Sequence, residues 1–141
     1  INLTGTWYCM KFQLEQMLQN EGGTIVNLSS AAGLIAQPEN SPYAASKHGV
    51  VGLTRTAAKE YATDNIRVNA ICPTAIETPM IMNGRRKLAY NEEAKQAAIN
   101  FQAMKRMGTP QEIADVILWL SSPESSFITG IAMAADGGAM A

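Results

Sequence analysis

The sequence predicts an α/β fold built on a parallel sheet, and three observations carry that prediction. Segments with apolar residues spaced by three and four alternate with short β-branched segments, in the order helix, strand, helix, strand, helix, strand. The β-branched segments are bounded by glycine, proline or small polar residues. Hydrophobic residues make up 47% of 141, enough for one core, and no internal repeat or low-complexity stretch divides the chain.

Residues 2–20 place Leu3, Trp7, Met10, Leu14, Met17 and Leu18 on one helical face. Glu21-Gly22-Gly23 ends that helix, since glycine takes the positive φ that helix C-termini favour. Thr24-Ile25-Val26-Asn27-Leu28-Ser29 reads as a strand buried on both faces. A loop through Gly33, Pro38 and Pro42 leads to an alanine-rich helix over 43–63. Ile66-Arg67-Val68-Asn69-Ala70-Ile71 is a second strand, stopped by Pro73. The Met- and charge-rich run 80–107 reads as helical with weak amphipathicity. Thr109-Pro110-Gln111-Glu112 starts a further helix, with Thr109 as N-cap, proline at the first helical position and an acid in the first turn. It runs through Ile113, Val116, Ile117 and Leu120 to about Ser121, with Trp119 and Leu120 read as core or interface residues. Ile131-Ala132-Met133-Ala134-Ala135 is a third strand, closed by Asp136-Gly137-Gly138.

Right-handed crossovers with a steadily advancing strand order put helices 1–20 and 43–63 on the same face of the sheet. The opposite face is then expected to be thinly covered, and the 24–29 strand to be an open edge. The chain starts inside a helix and without methionine, so the reading is of a fragment whose partners are missing.

Net charge is −1 with acids and bases interspersed, which argues against nucleic acid and anionic membrane as partners. No apolar run approaches the roughly 20 residues of a membrane-spanning helix, and no secretory-type leader is recognisable. Cys9 and Cys72 lack metal-ligand or redox spacing and read as reduced, packed thiols of a cytoplasmic protein. His48 has no second ligand at metal-binding spacing, so no metal site is expected.

Tyr43-Ala44-Ala45-Ser46-Lys47 places a phenol and an ammonium one helical turn apart on one face. A free tyrosine is a poor base at neutral pH, and a neighbouring cation favours the phenolate. General acid–base transfer gains from that shift. Taken alone the pattern is common on exposed helices. Ser30, however, lies at the C-terminal end of a strand, where open parallel sheets bind ligands, and 73–78 follows the next strand at the same edge. Ser30 equally suits a hydroxyl capping the next turn, and Thr78 a turn residue before Pro79. Asn27 and Asn69 read as structural hydrogen-bonders, while Met80, Met82, Met104 and Met107 suit either a mobile apolar cover or plain core packing.

Several segments in order resemble the second half of the short-chain dehydrogenase/reductase family. They are Asn2-Leu3-Thr4-Gly5-Thr6, Ile25 through Gly33, Tyr43 with Lys47, Arg67 through Pro73, Ile76-Glu77-Thr78-Pro79, Arg106 through Ala114, and Ile128-Thr129-Gly130 through Gly138. The resemblance implies a partial Rossmann-type fold of about three parallel strands, with 1–141 forming the C-terminal, nicotinamide-side part of one domain. It implies an NAD(P)-dependent oxidoreductase that interconverts an alcohol and a ketone or aldehyde, a small-molecule substrate, and a homo-oligomer, dimer or tetramer, built on helices 1–20 and 43–63. Tyr43 would be the general acid/base, Ser30 would orient the substrate oxygen, and Lys47 would hold the nicotinamide ribose and favour the phenolate. Asn2 would hold a water in a proton relay. Tyr43, Lys47, Pro73, Thr74, Ile76 and Thr78 would contact NAD or NADP. The family pattern places Ser30, thirteen residues before Tyr43, as the catalytic serine in preference to Ser29.

Two departures qualify the match. Thr74 stands where the family usually has glycine, and a side chain there narrows or alters the nicotinamide loop. The glycine-rich turn that would hold the pyrophosphate is missing, which leads to the expectation of weak dinucleotide binding and negligible turnover by this chain alone. A different reading is a catalytically silent remnant, or an isolated subdomain serving packing or oligomerisation.

Overall fold

The computed structural model describes residues 1–83 and 91–141. Its described elements are α1 (Asn2–Gln19), β1 (Gly23–Leu28), α2 (Ser41–Glu60), β2 (Ile66–Pro73), α3 (Pro79–Asn83), α4 (Glu92–Phe101), α5 (Pro110–Ser121) and β3 (Ala132–Ala135). The part of the 80–107 run that falls on 84–90 lies outside the described residues.

The three strands form one parallel sheet in the order β1-β2-β3. Gly23 pairs with Ile66 and Leu28 with Ile71, while Ala70 pairs with Ala132 and Pro73 with Ala135. β2 is therefore central and β1 is an edge in this structure, as the steadily advancing order required. Ile66, Val68, Ala70, Ile71 and Cys72 of β2 are at most 1% exposed, which its near-continuous apolar sequence permits.

Alternation along the strands separates two layers. On one side Ile25, Ile66 and Val68 pack with Met10 and Leu14 of α1 and Ala57 and Ala58 of α2. α1 and α2 lie against each other, and Gly49 lets them approach: a Cβ there would sit 2.7 Å from Leu3 Cδ1. Both helices thus cover one face, as expected.

The other face is thinly covered, as expected, and its cover comes from α5. Arg67, which alternates with Ile66 and Val68, sends its guanidinium to the carbonyls of Ser122 (3.1 Å) and Ile128 (3.0 Å), just beyond α5. α5 packs on β1 and β2 there. The β2-to-β3 crossover therefore runs on the face opposite the β1-to-β2 crossover, although both advance in the same direction across the sheet. The two crossovers have opposite hands, so one of them breaks the right-handed rule. Cover on this face remains partial. Leu28 is 56% exposed and Val26 half-buried, which corrects the reading of β1 as buried on both faces.

The start of α5 follows its sequence signature. Thr109 Oγ1 accepts from the Glu112 amide at 3.3 Å, and the Glu112 carboxylate accepts from the Thr109 amide at 2.8 Å, closing a capping box. Asn27 and Asn69 serve the fold. Asn27 Nδ2 donates to Thr54 Oγ1, while Asn69 donates to the Ile128 carbonyl and accepts from the Ile131 amide, fixing the register of β2 against β3. Met107 and Leu120 belong to the core, Trp119 is half-buried, and Met80 and Met104 are exposed. Cys72 is buried but Cys9 is exposed on α1, so only one of the two thiols is packed. Among the described residues no helix is long and apolar enough to cross a membrane.

Candidate functional site

β1 delivers the chain to the sheet's C-terminal edge, where Ser29 and Ser30 turn into a single 3-10 turn at Ala31–Gly33. The two serines have different duties. Ser29 is buried; its amide donates to the Ile71 carbonyl at 2.8 Å and its hydroxyl to the Lys47 carbonyl at 3.0 Å, tying α2 to the sheet. Ser30 is half-buried and its Oγ accepts the Ala32 amide at 3.2 Å. That bond caps the turn, as one reading of Ser30 required. It also fixes the oxygen while leaving the hydroxyl proton free to be donated.

α2 begins at Ser41 with Pro42 in its first turn, so Tyr43 lies near the helix start and Lys47 one turn on. Ser46 Oγ donates to the Tyr43 carbonyl at 2.7 Å. Lys47 Nζ crosses to the end of β1 and donates to the Leu28 carbonyl at 2.9 Å, lying 5.7 Å from the centroid of the Tyr43 ring. Burial pushes the Lys47 ammonium below the ordinary lysine range, and attraction to a thiolate at Cys72 opposes this. The Cys72 thiol itself is pushed up, chiefly by burial, against hydrogen bonds from Ser29 and the Ser30 backbone. An ammonium has three donors, and this one spends a single donor on Leu28 among the described residues.

Gly33 makes this convergence possible. A Cβ at residue 33 would lie 2.5 Å from Ser29 Oγ and 2.8 Å from the Lys47 carbonyl oxygen, so only glycine lets the turn seat against α2. Ser29, Gly33 and the Leu28 carbonyl are members that sequence reasoning did not single out. A glycine three residues after Ser30 was the available signal.

Pro73 ends β2 opposite Ala135. Thr74 Oγ1 donates to the Asp136 carbonyl at 3.3 Å, so its hydroxyl is engaged by the segment beyond β3. Ile76 forms a single parallel bridge with Gly108, and Thr78 Oγ1 accepts from the Ile81 amide at 3.4 Å at the start of α3. Ser30 and 73–78 thus share the C-terminal edge of the sheet, with the first turns of α2 packed beside them. Asn2 is different. It is the exposed first residue of α1, its carbonyl accepts from Thr6 Oγ1 at 2.7 Å, and among the described residues no hydrogen bond joins its side chain to Ser30, Tyr43 or Lys47. Its neighbour Leu3 packs on Gly49, which brings the start of α1 beside the Lys47 turn.

The unspent Lys47 donors, the Ser30 proton and the 73–78 backbone fit the nicotinamide half of a dinucleotide. The phosphate half finds no comparable cradle among the described residues, since α2 and α5 both open with proline in their first turn and no glycine-rich turn joins a strand to a helix. Exposed His48 holds its Nδ1 3.0 Å from the Ala44 carbonyl oxygen, and among the described residues no cluster of three His, Cys, Asp or Glu side chains could bind a metal.

A parallel sheet with serine, tyrosine and lysine at its C-terminal edge defines a class, and comparison with known proteins agrees. The family model described as enoyl-(acyl carrier protein) reductase matches residues 1–140. The chain belongs to the short-chain dehydrogenase/reductase family, whose members use NAD(P). It is 44% identical over 138 residues to the 3-oxoacyl-[acyl-carrier-protein] reductase FabG of Thermotoga maritima, covering 98% of this chain and 54% of that protein. It is 42% identical over 140 residues to the 2,5-dichloro-2,5-cyclohexadiene-1,4-diol dehydrogenase of Sphingobium indicum, again covering 98% and 54%. Among solved structures, ElxO with NADP bound superposes with a TM-score of 0.90 at 34% identity, covering 99% of this chain and 55% of that one. The complex of 4-hydroxyisoleucine dehydrogenase with NADH and succinate gives 0.86 at 34% identity, covering 99% and 56%. The chain spans about half the length of the curated relatives it matches.

Proposed function

We propose that residues 1–141 form the catalytic, nicotinamide-side part of an NAD(P)-dependent oxidoreductase that interconverts a small-molecule alcohol with its ketone or aldehyde. The observation that carries this reading is the reach of Lys47 from α2 to the Leu28 carbonyl, which holds an ammonium between the Tyr43 ring and the end of β1 beside the Ser30 turn. When bound, the dinucleotide supplies or takes the hydride. Tyr43 Oη gives a proton to the substrate oxygen in reduction and takes one back in oxidation. Ser30 donates to that same oxygen from a hydroxyl already anchored by the Ala32 amide. Lys47 offers its two remaining donors to the ribose hydroxyls. The 73–78 loop lines the nicotinamide, and Asn2 serves as the outer member that positions a relay water. The two free thiols support a cytoplasmic location.

Titration of NADH and NADPH into the purified chain, with Tyr43→Phe as control, tests the reading. Binding weaker than micromolar and negligible turnover are expected of this chain, which carries no phosphate cradle among its described residues. In a protein that also carries a glycine-rich phosphate turn, Tyr43→Phe should lower kcat by about 10²–10⁴-fold. A Tyr43→Phe variant as fast as the parent there would remove Tyr43 from the mechanism. Micromolar binding with Tyr43-dependent turnover in the present chain would show that the cradle is dispensable.

One further observation supports a role in assembly. Trp7, Tyr8, Phe12 and Leu18 of α1 are 46–62% exposed, and the α1–α2 groove, about 500 Å³ in volume, is lined by Trp7, Leu18, Leu53 and Tyr61 among others. Exposed apolar surface of this kind marks association sites, and we place a homo-oligomer contact on it. A monomeric chain in light scattering at micromolar concentration would remove it.

A further inference from the structure

Residues 75–77 of the loop that follows β2 are held through backbone hydrogen bonds to residue 108. The Glu77 amide donates to the Gly108 carbonyl at 2.9 Å, and the Gly108 amide donates to the Ala75 carbonyl at 3.1 Å. These two bonds make the Ile76–Gly108 bridge, and Gly108 is tightly confined in it: a Cβ would meet Ile76 Cδ1 at 2.7 Å. The position of 75–77 therefore depends on what fixes residue 108.

A bracket of side chains closes around it. Arg106 Nη1 donates to the Met107 carbonyl at 3.1 Å and to Glu112 Oε2 at 2.9 Å, while Nη2 donates to Glu112 Oε1. Glu112 Oε2 accepts in turn from the Thr109 amide at 2.8 Å and from Thr109 Oγ1 at 3.2 Å. The peptide units on both sides of Gly108 are thus tied to one two-pronged ion pair, with Met107 anchored in the core below. Isolated exposed ion pairs contribute little, but a bidentate guanidinium that also binds backbone has one geometry available. Glu77 adds its field at Arg106 from the loop side.

We infer that Arg106 and Glu112 are positioning residues, which set the 75–77 loop through Gly108 without touching substrate or cofactor. The inference rests on the reading of 73–78 as the nicotinamide-side loop. It makes the Arg106-to-Glu112 segment a buttress of the site as well as a helix start.

Amide hydrogen exchange on the purified chain, followed residue by residue by NMR, tests it without any turnover. Arg106→Ala removes the bracket but leaves the Thr109–Glu112 capping box, and the side chain is about half exposed, so the fold should survive. The Glu77 and Gly108 amides should then exchange about tenfold faster or more, with Val68 and Val116 unchanged. Arg106→Lys, which keeps the charge but cannot form the fork, should fall between the two. Rates at Glu77 and Gly108 within about twofold of the parent, or an equal rise at Val68 and Val116, would overturn the inference. Addition of millimolar NADH separates it from the functional reading. In a protein that also carries a glycine-rich phosphate turn, NADH that fails to slow Glu77 exchange while Arg106→Ala still frees it would leave the bracket standing and remove the cofactor assignment of the loop.

Discussion

Replacing Gly33 by alanine should dislodge the Ser30 turn from α2. The added Cβ would sit 2.5 Å from Ser29 Oγ and 2.8 Å from the Lys47 carbonyl oxygen, whereas ordinary contact begins near 3.4 Å. The Ser29 side chain can rotate away, but the Lys47 oxygen is helix backbone and cannot yield cheaply. The turn must therefore retreat by roughly 0.6 Å, an overpacking that costs about 1–3 kcal/mol. Rotation of Ser29 breaks its bond to the Lys47 carbonyl, which adds about 1 kcal/mol. A total loss of about 2–4 kcal/mol follows, or roughly 6–12 °C in Tm for a chain of this size. Urea denaturation of parent, Gly33→Ala and Ser29→Ala resolves the two contributions, with Ser29→Ala expected to lose only about 1 kcal/mol. A loss below about 0.5 kcal/mol for Gly33→Ala, or an equal loss for Ser29→Ala, would refute the wedge argument.

Two further outcomes follow from charge and exposure. Arg106 and the Thr109 backbone hold the Glu112 carboxyl down to about 2, from an ordinary 4.5. Between those values the unfolded chain binds the extra proton, so the stability from this group is complete above about pH 5 and is lost as pH falls through about 2. Glu112→Gln keeps the capping geometry without the charge. The Tm gap between parent and variant should hold steady at neutral pH and close towards pH 2, and a gap independent of pH would exclude the mechanism. Thiol titration with an aromatic disulfide reagent should count one reactive group, Cys9, in the folded chain and a second, Cys72, only after unfolding. Prompt reaction of two thiols in the native state would contradict the burial of Cys72.

The order of elements was legible in the sequence because each carries a local signal. The 3.6-residue stripe of α1, the β-branched runs of β1 and β2, and the Thr109-Pro110 start of α5 all appear where expected. What was not legible is which face a helix takes. The periodicity of α5 says that one side is buried, but not against which face of the sheet. Arg67 and Asn69, polar residues alternating with Val68 and Ile66, were the signal for a second, hydrogen-bonded layer. At the site, the Tyr43–Lys47 spacing put phenol and ammonium on one face, as found. The separate duties of Ser29 and Ser30 needed coordinates, since adjacent hydroxyls differ only in which backbone groups they meet. Likewise, the hydroxyl of Thr74 turned out to be spent on Asp136, which no pattern of neighbours reveals.

The placement of α5 also has a bearing on how the chain is born. The two carbonyls that satisfy Arg67 lie 55 and 61 residues further along. At a translation rate of about 5–20 residues per second, that guanidinium and the strand face around it wait roughly 3–12 s for their cover. During this interval α1, β1, α2 and β2 can already enclose the Met10–Ala57–Val68 core from one side. Until α5 arrives, Arg67 keeps a charge on that open strand face.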